Sequence, residues 1–247
     1  MEPLVSDQAS TSPIRRSLNW LTIPRRISLR VLCAIVVVTG LALAWEANLA
    51  RVQRTSVASI LAAGGSVHYD WSVSAGLVGN DPSWFERLVR LLGVDHFATV
   101  TGADLRGATD TLAPQIGALR RLNQLNLRNS PITDAGLEQL DGLAELERLD
   151  LTHTRVTSRG LVHLRAMTQL KMLWLGGDSI TSEGLENLKS LPNLELLALI
   201  DTAVDDAGLE HLKQLKNLRD VNVARTKVTP EGLSSLKRAL PDSIIRP

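Results

Sequence analysis

One cysteine, Cys33, leaves no partner for an intrachain disulfide, and no cysteine–histidine spacing of a zinc site is present. Aromatic side chains are nearly as scarce. They make up 3% of the chain, so the 44% apolar share is almost entirely aliphatic, as in repeat architectures rich in leucine. The net charge of +1 favours neither sign and gives no global pull toward nucleic acid, which is not expected as a partner. Gly64-Gly65 lacks the wider glycine spacing and the Lys-Ser/Thr pair of a phosphate loop and reads as a structural turn. No catalytic constellation is visible. His153 stands near Asp150 without a Ser or Cys nucleophile, and His163 and His211 lie two repeats apart, too far to share a metal. His68 and His96 fall in no ligand set, so neither a metal, a cofactor nor an enzyme activity is expected.

Long hydrophobic runs are also missing, with one exception near the amino terminus. Residues 31–45, "VLCAIVVVTGLALAW", are uncharged and mostly apolar, and Arg15, Arg16, Arg25, Arg26 and Arg30 precede them. A spanning helix needs about 20 apolar residues, so this run is short. Ile27 to Leu29 on one side and "EANLA" on the other could lengthen it. The arginine excess ahead of the run favours a cytoplasmic amino terminus, with the remainder of the chain outside the cytoplasm. Two readings compete with an uncleaved anchor: a signal segment cut after Ala42-Leu43-Ala44, and a core helix of a soluble domain. Beyond it, "RVQRTSVASILAA" has helical spacing that puts Val52, Val57, Ile60 and Leu61 on one face. "GGSVHYDW" reads as a turn and a short strand with Val67 and Tyr69 alternating inward. "PSWFERLVRLLG" reads as a second amphipathic helix with Trp84, Leu88 and Leu91 inward.

From Leu122 onward the chain repeats every 24 residues, with starts at Leu122, Leu146, Leu170, Leu194 and Leu218. Each unit reads L-x-x-L-x-L-x-x-[T/S/D]-x-[V/I]-[T/D]-x-x-G-L-x-x-L-x-x-L-x-x. The L-x-L half has the period of a strand, with positions 4 and 6 inward and positions 3, 5 and 7 outward. The G-L-x-x-L-x-x-L half has the period of a helix. Neither half can bury its apolar face alone, so the units must stack with parallel strands inside and helices outside, and the wider helices bend the stack into an arc. Position 12 (Thr133, Thr157, Thr181, Asp205, Thr229) supplies helix N-caps. The invariant glycine at position 15 (Gly136, Gly160, Gly184, Gly208, Gly232) indicates close contact with the neighbouring unit. Position 9 (Ser130, Thr154, Asp178, Thr202, Thr226) turns inward to bond turn backbone. A degenerate copy precedes the array: Ala103 and Leu105 match Leu125 and Leu127 two residues out of step, while Ile116 and Leu119 match Leu140 and Leu143 in step. "LPDSIIRP" reads as a closing strand with Ile244 or Ile245 over the last layer.

The unit resembles the leucine-rich repeat family, and its "TDAGLEQL" half resembles the short-repeat subfamily with a convex helix. The resemblance implies an α/β solenoid, parallel strands on the concave face and helices on the convex face, preceded by a single N-terminal transmembrane helix. "RRISLRVLCAIVVVTGLALAW" followed by "VASILAAGGSVHYDW" resembles the front end of membrane-anchored repeat proteins of planctomycete bacteria, which implies an envelope protein facing away from the cytoplasm. The expected organisation is a basic cytoplasmic tail at 1–30, an anchor at 31–50, a juxtamembrane helix and cap at 51–97, and the repeat domain at 98–247.

One segment departs from the polar filling of the outward positions. In "MLWLGGDSI", Met172 and Trp174 take positions 3 and 5, and in the next unit Leu196, Ala198 and Ile200 take positions 3, 5 and 7. These five make one apolar patch, rimmed by Arg148, Asp150, Asp201, Arg219 and Asp220. A central aromatic with a polar rim is how a protein-binding hot spot is built. The partner expected is a protein or peptide, with Gly176 and Gly177 leaving space beside the indole for one of its side chains. An outward indole should also contribute little to stability. Self-association, cover by the chain's own cap, and drift on a permissive surface are the competing readings of the same residues.

Overall fold

The computed structural model describes residues 29–70, 99–177 and 179–247. The second amphipathic helix expected at 82–93, the basic tail and Asp178 lie outside the described residues. The chain divides into two units, Met1–Ala44 and Trp45–Pro247. Helix α1 runs Leu29–Ala62 and contributes residues to both.

In the first unit, α1 carries Ile35, Val36, Val37, Val38, Leu41 and Leu43, all exposed, from 49% at Ile35 to 71% at Leu43. A helix rises about 1.5 Å per residue, so its residues 31–50 cover the ~30 Å of a bilayer core. The "EANLA" extension is helical, so the apolar segment is long enough to span, with Glu46 its one charged side chain.

In the second unit the later turns of α1 cap the first layer. Ala50, Ser56, Val57 and Ile60 are buried there, whereas Leu61 is 54% exposed, which corrects the expected face. Ser56, Val57 and Ile60 fall within one sector of about 100°, and Leu61 lies beyond its edge, about 100° from Ile60. It ends in a glycine stop. Gly64, at φ +78°, donates its N–H to Leu61 O, and Gly65 donates to Ile60 O, both at 3.0 Å. A Cβ on Gly65 would meet Leu105 Cδ2 at 2.9 Å, so close approach to the next layer also requires glycine. Gly64-Gly65 is therefore the structural turn read from the sequence.

Among the described residues, eight strands form one sheet in sequence order: β1 (Ser66–Tyr69), β2 (Val100–Asp104), β3 (Gln124–Asn126), β4 (Arg148–Asp150), β5 (Met172–Trp174), β6 (Leu196–Ala198), β7 (Asp220–Asn222) and β8 (Ile244–Arg246). β1 pairs antiparallel with β2; the others are parallel. Leu125, Leu149, Leu173, Leu197 and Val221 stand side by side, and Ala103 pairs with Leu125, two residues out of step as expected. These residues are buried, as are the position-6 residues Leu127, Leu151, Leu175, Leu199 and Val223. At the closing strand Ile245 packs on the core and Ile244 is 60% exposed.

The outer segments are not uniformly α-helical. α2 (Ala113–Gly117), α3 (Asp134–Glu138), α4 (Asp206–Leu212) and α5 (Pro230–Ala239) are, but Gly160–Ala166 and Ser182–Ser190 are 3-10 helices. The leucine spacing permits this but does not decide it, because the α-helical units carry the same spacing at Leu137, Leu140 and Leu143 and at Leu209, Leu212 and Leu215. Leu161, Leu164 and Met167, and likewise Leu185, Leu188 and Leu191, recur at three residues, the repeat of a 3-10 turn. All six are fully buried.

Candidate functional site

Strand alternation positions the site. Because position 4 points into the stack, positions 3 and 5 face the open side, and parallel pairing in register lines them up in rows. One row runs Gln124, Arg148, Met172, Leu196, Asp220, Ile244. The next runs Asp104, Asn126, Asp150, Trp174, Ala198, Asn222, Arg246. Adjacent strands lie about 4.8 Å apart, so Trp174 has Asp150 on one flank and Ala198 on the other, and Met172 lies between Arg148 and Leu196. The five apolar residues read from the sequence are thus neighbours on one face.

Their exposure differs from expectation. Trp174, Met172, Leu196 and Ile200 are half-buried, and Ala198 is 7% exposed. A methyl group on an open face reaches that value only when its neighbours cover it, so this face is packed sideways rather than standing in water. A half-buried indole has packing to lose, so its removal is expected to cost stability, in place of the small effect expected of a ring standing in water. Gly176 leaves no space beside it: a Cβ there would meet Thr152 Cγ2 at 2.8 Å and Ile200 O at 3.3 Å. Gly177 has open space, and its φ of +131° is what requires glycine.

The rim residues separate into two groups. Asp201 is hydrogen-bonded to Arg225, and this bond holds its carboxyl below the usual carboxylate range. Asp220 is paired with Arg246 at 2.6 Å. Both charges are satisfied within the chain. Arg148 is exposed and has no ion-pair partner among the described residues, and Arg219 is exposed at position 2.

On the other side of Trp174 lies a hollow of about 290 Å³, whose lining includes His68, Asp104, Gln124, Asn126, Arg148, Asp150 and Trp174. No periodicity pointed to it, because His68 arrives from the antiparallel strand β1, opposite Gly102. A Cβ on Gly102 would meet the His68 Cβ and Cδ2 at 3.2 Å, so the missing side chain there makes room for His68. Within the hollow Asn126 Nδ2 donates to Asp104 Oδ2 at 3.2 Å. Asn126 Oδ1 accepts the Arg128 N–H at 3.0 Å, Asp150 Oδ1 the Thr152 N–H at 2.8 Å, and Asn222 Oδ1 the Ala224 N–H at 3.0 Å. Three residues of this row therefore close the same two-residue turn at the strand exit.

Among the described residues, the other histidines do not line the hollow. His153 is exposed at φ +55°, in a turn column with Asn129, Gly177, Asp201 and Arg225, all of positive φ. The Asn, His, Gly and Asp of that column were its sequence signal. His163 Nδ1 lies 3.2 Å from Asp141 of the preceding unit. Among the described residues no group of three His, Cys, Asp or Glu side chains could hold a metal ion.

Residues 214–237 match a family model described as Leucine Rich repeat. No curated protein matches the chain significantly. Solved structures similar to it include an internalin from Listeria monocytogenes (17% identity, 65% of this chain and 53% of that one, TM-score 0.47). An internalin C2 from the same organism gives 24% identity over 59% of this chain and 70% of that one, TM-score 0.46. A Leptospira interrogans leucine-rich-repeat protein gives 19% identity over 57% and 34%, TM-score 0.44. The chain thus spans about half the length of the first and a third of the last. Each is a likeness of fold. The in-register parallel sheet and the matched repeat make this domain a leucine-rich-repeat solenoid.

Proposed function

We propose that this leucine-rich-repeat chain is a non-enzymatic protein-interaction module, displayed on the extracytoplasmic side of a bacterial membrane, that binds a protein or peptide on the open, concave face of its sheet. The observation that carries the reading is an indole at the middle of that face, with Met172, Leu196, Ala198 and Ile200 on one side and, on the other, Arg148 and Asp150, which form no ion pair among the described residues. Trp and Arg are the residues most enriched where interfaces concentrate their energy. Membrane display rests on the exposed aliphatic stretch of α1, which water does not solvate favourably, and on the arginines ahead of it.

The test is capture of one defined partner from an envelope extract by the detergent-solubilised full chain. Trp174→Ala and Arg148→Glu should both lose it. Arg148 is exposed, so its change leaves the fold intact and separates lost binding from lost stability. Retention of the partner by both variants would end the proposal. A self-associating envelope component is the second reading, supported by the far end of the stack. There Leu233, Ile244, Ile245 and Pro247, together with Ser234 and Lys237, line a mainly apolar cleft of about 680 Å³ beside the edge strand β8. Concentration-dependent sedimentation that Ile244→Lys abolishes would favour it.

A further inference from the structure

The outward row of position 5 contains a charge the fold does not use. Asn126, Asp150 and Asn222 each accept the N–H two residues on, at 3.0, 2.8 and 3.0 Å. Two of the three do so with a neutral amide, so the turn needs an acceptor oxygen and not a carboxylate. Asp150 Oδ1 is occupied by Thr152, and Oδ2 has no partner among the described residues. No described residue forms an ion pair with Asp150. The other anions on this face are engaged: Asp104 with Asn126 and, at 3.9 Å, with Arg106, and Asp220 with Arg246.

This free oxygen lies one strand from Trp174, and both line the 290 Å³ hollow. An indole face attracts cations more strongly than any other side-chain ring, and a carboxylate beside it supplies a charged hydrogen-bond acceptor. The neighbouring row offers donors instead: Gln124 and Arg148 stand about 7 Å away along the strands. A ligand that lays a cation on the position-5 row and carbonyl oxygens on the position-3 row satisfies both. A basic residue within an extended peptide has that arrangement.

We propose that Trp174 and Asp150 form a receptor pocket for an arginine or lysine side chain of a protein partner, with Arg148 and Gln124 holding the partner's backbone carbonyls. The proposal rests on the protein-binding reading above and specifies which chemistry it recognises. The stem of the basic side chain lies along the indole and its charge meets Asp150 Oδ2.

The probe is acetyl-Gly-Arg-Gly-amide, with acetyl-Gly-citrulline-Gly-amide as its uncharged isostere. The readout is the set of tryptophan indole N–H resonances of the detergent-solubilised full chain, with Trp174 assigned by Trp174→Phe. The arginine peptide should shift the Trp174 resonance, the citrulline peptide should not, and added salt should weaken the effect. Asp150→Asn keeps the Thr152 turn and should weaken binding about fivefold. Equal shifts with both peptides, no shift with either, or an unaltered affinity in Asp150→Asn would overturn the proposal. A Trp174 resonance that instead moves with protein concentration would assign the face to a second copy, and would overturn it too. Should the peptide fail while capture of a protein partner still depends on Trp174, the broader reading stands and only the basic-residue pocket falls.

Discussion

At the residue scale, backbone conformation and one-sided burial decide the outcome of substitutions. Gly177 has nothing within 4 Å of a built Cβ, so space does not explain it; its φ of +131° does. Gly177→Ala should therefore cost about 1–2 kcal/mol by thermal or urea unfolding although it touches nothing. Asn129→Gly, in the same column at φ +59°, should be neutral or slightly stabilising. Trp174→Ala should lower stability by about 2 kcal/mol, since a half-buried ring on an open face loses packing without leaving a sealed cavity. That residue shows how far sequence reading reached: the period of two gave its direction, but not that its neighbours would crowd it.

At the element scale, successive layers are tied by a ladder that the sequence reading missed. Asp110 accepts the Thr133 N–H at 2.8 Å and its hydroxyl at 2.6 Å. Asp134 does the same for Thr157 at 2.7 and 2.6 Å, and Asp206 for Thr229 at 2.8 and 2.6 Å. Ser158 meets Thr181 at 2.8 and 2.9 Å, and Ser182 meets Asp205 at 3.0 and 2.5 Å. Position 13 of one unit thus holds position 12 of the next, and an aspartate at position 13 is opposed by threonine, while Asp205 at position 12 is opposed by a serine. The helix with Pro230 at position 13 is followed by β8, and Pro230 has no ladder hydrogen bond among the described residues. The position-15 glycines belong to the same contact. A Cβ on Gly160 would strike the Asp134 carboxylate, and one on Gly184 would meet the Ser158 Cβ at 2.8 Å. Gly160→Ala should cost about 2 kcal/mol. Its cost should shrink in an Asp134→Ala background, and a double-mutant cycle measures that coupling. Ser182→Asp should destabilise by setting two carboxylates together, and Asp205→Thr should rescue it by restoring an aspartate–threonine pair. The serine hydrogen bond also holds the Asp205 carboxyl below its ordinary range. A carboxyl depressed in the folded state stabilises above the unfolded value of 3.8 and loses that contribution as pH falls through its lower folded value. Ser182→Ala should accordingly flatten the acid limb of a stability–pH profile.

At the scale of the molecule, one continuous sheet with buried contacts between adjacent layers makes the array shortenable. Deleting residues 170–193 joins Ser158 to Asp205, a pairing of the kind Ser182 already makes. The shortened chain should fold with the same circular-dichroism signature per residue and fail to capture the partner, because Met172 and Trp174 leave with the deleted unit.

The sequence alone determined the layers, because a repeat that buries leucine at fixed intervals admits one stacking register. It placed Met172, Trp174, Leu196, Ala198 and Ile200 on a common face for the same reason, and it identified the glycine stop and the inward serine and threonine of position 9, which bond Leu127, Leu151, Leu199 and Val223 carbonyls. Tertiary structure decided what depends on contacts between distant segments: the α or 3-10 form of each outer turn, the crowding of Trp174, the ladder between units, and the hollow to which His68 contributes. Periodicity records which way a side chain points along its own strand. What stands opposite it is set by a different part of the chain, and only folding brings that part there.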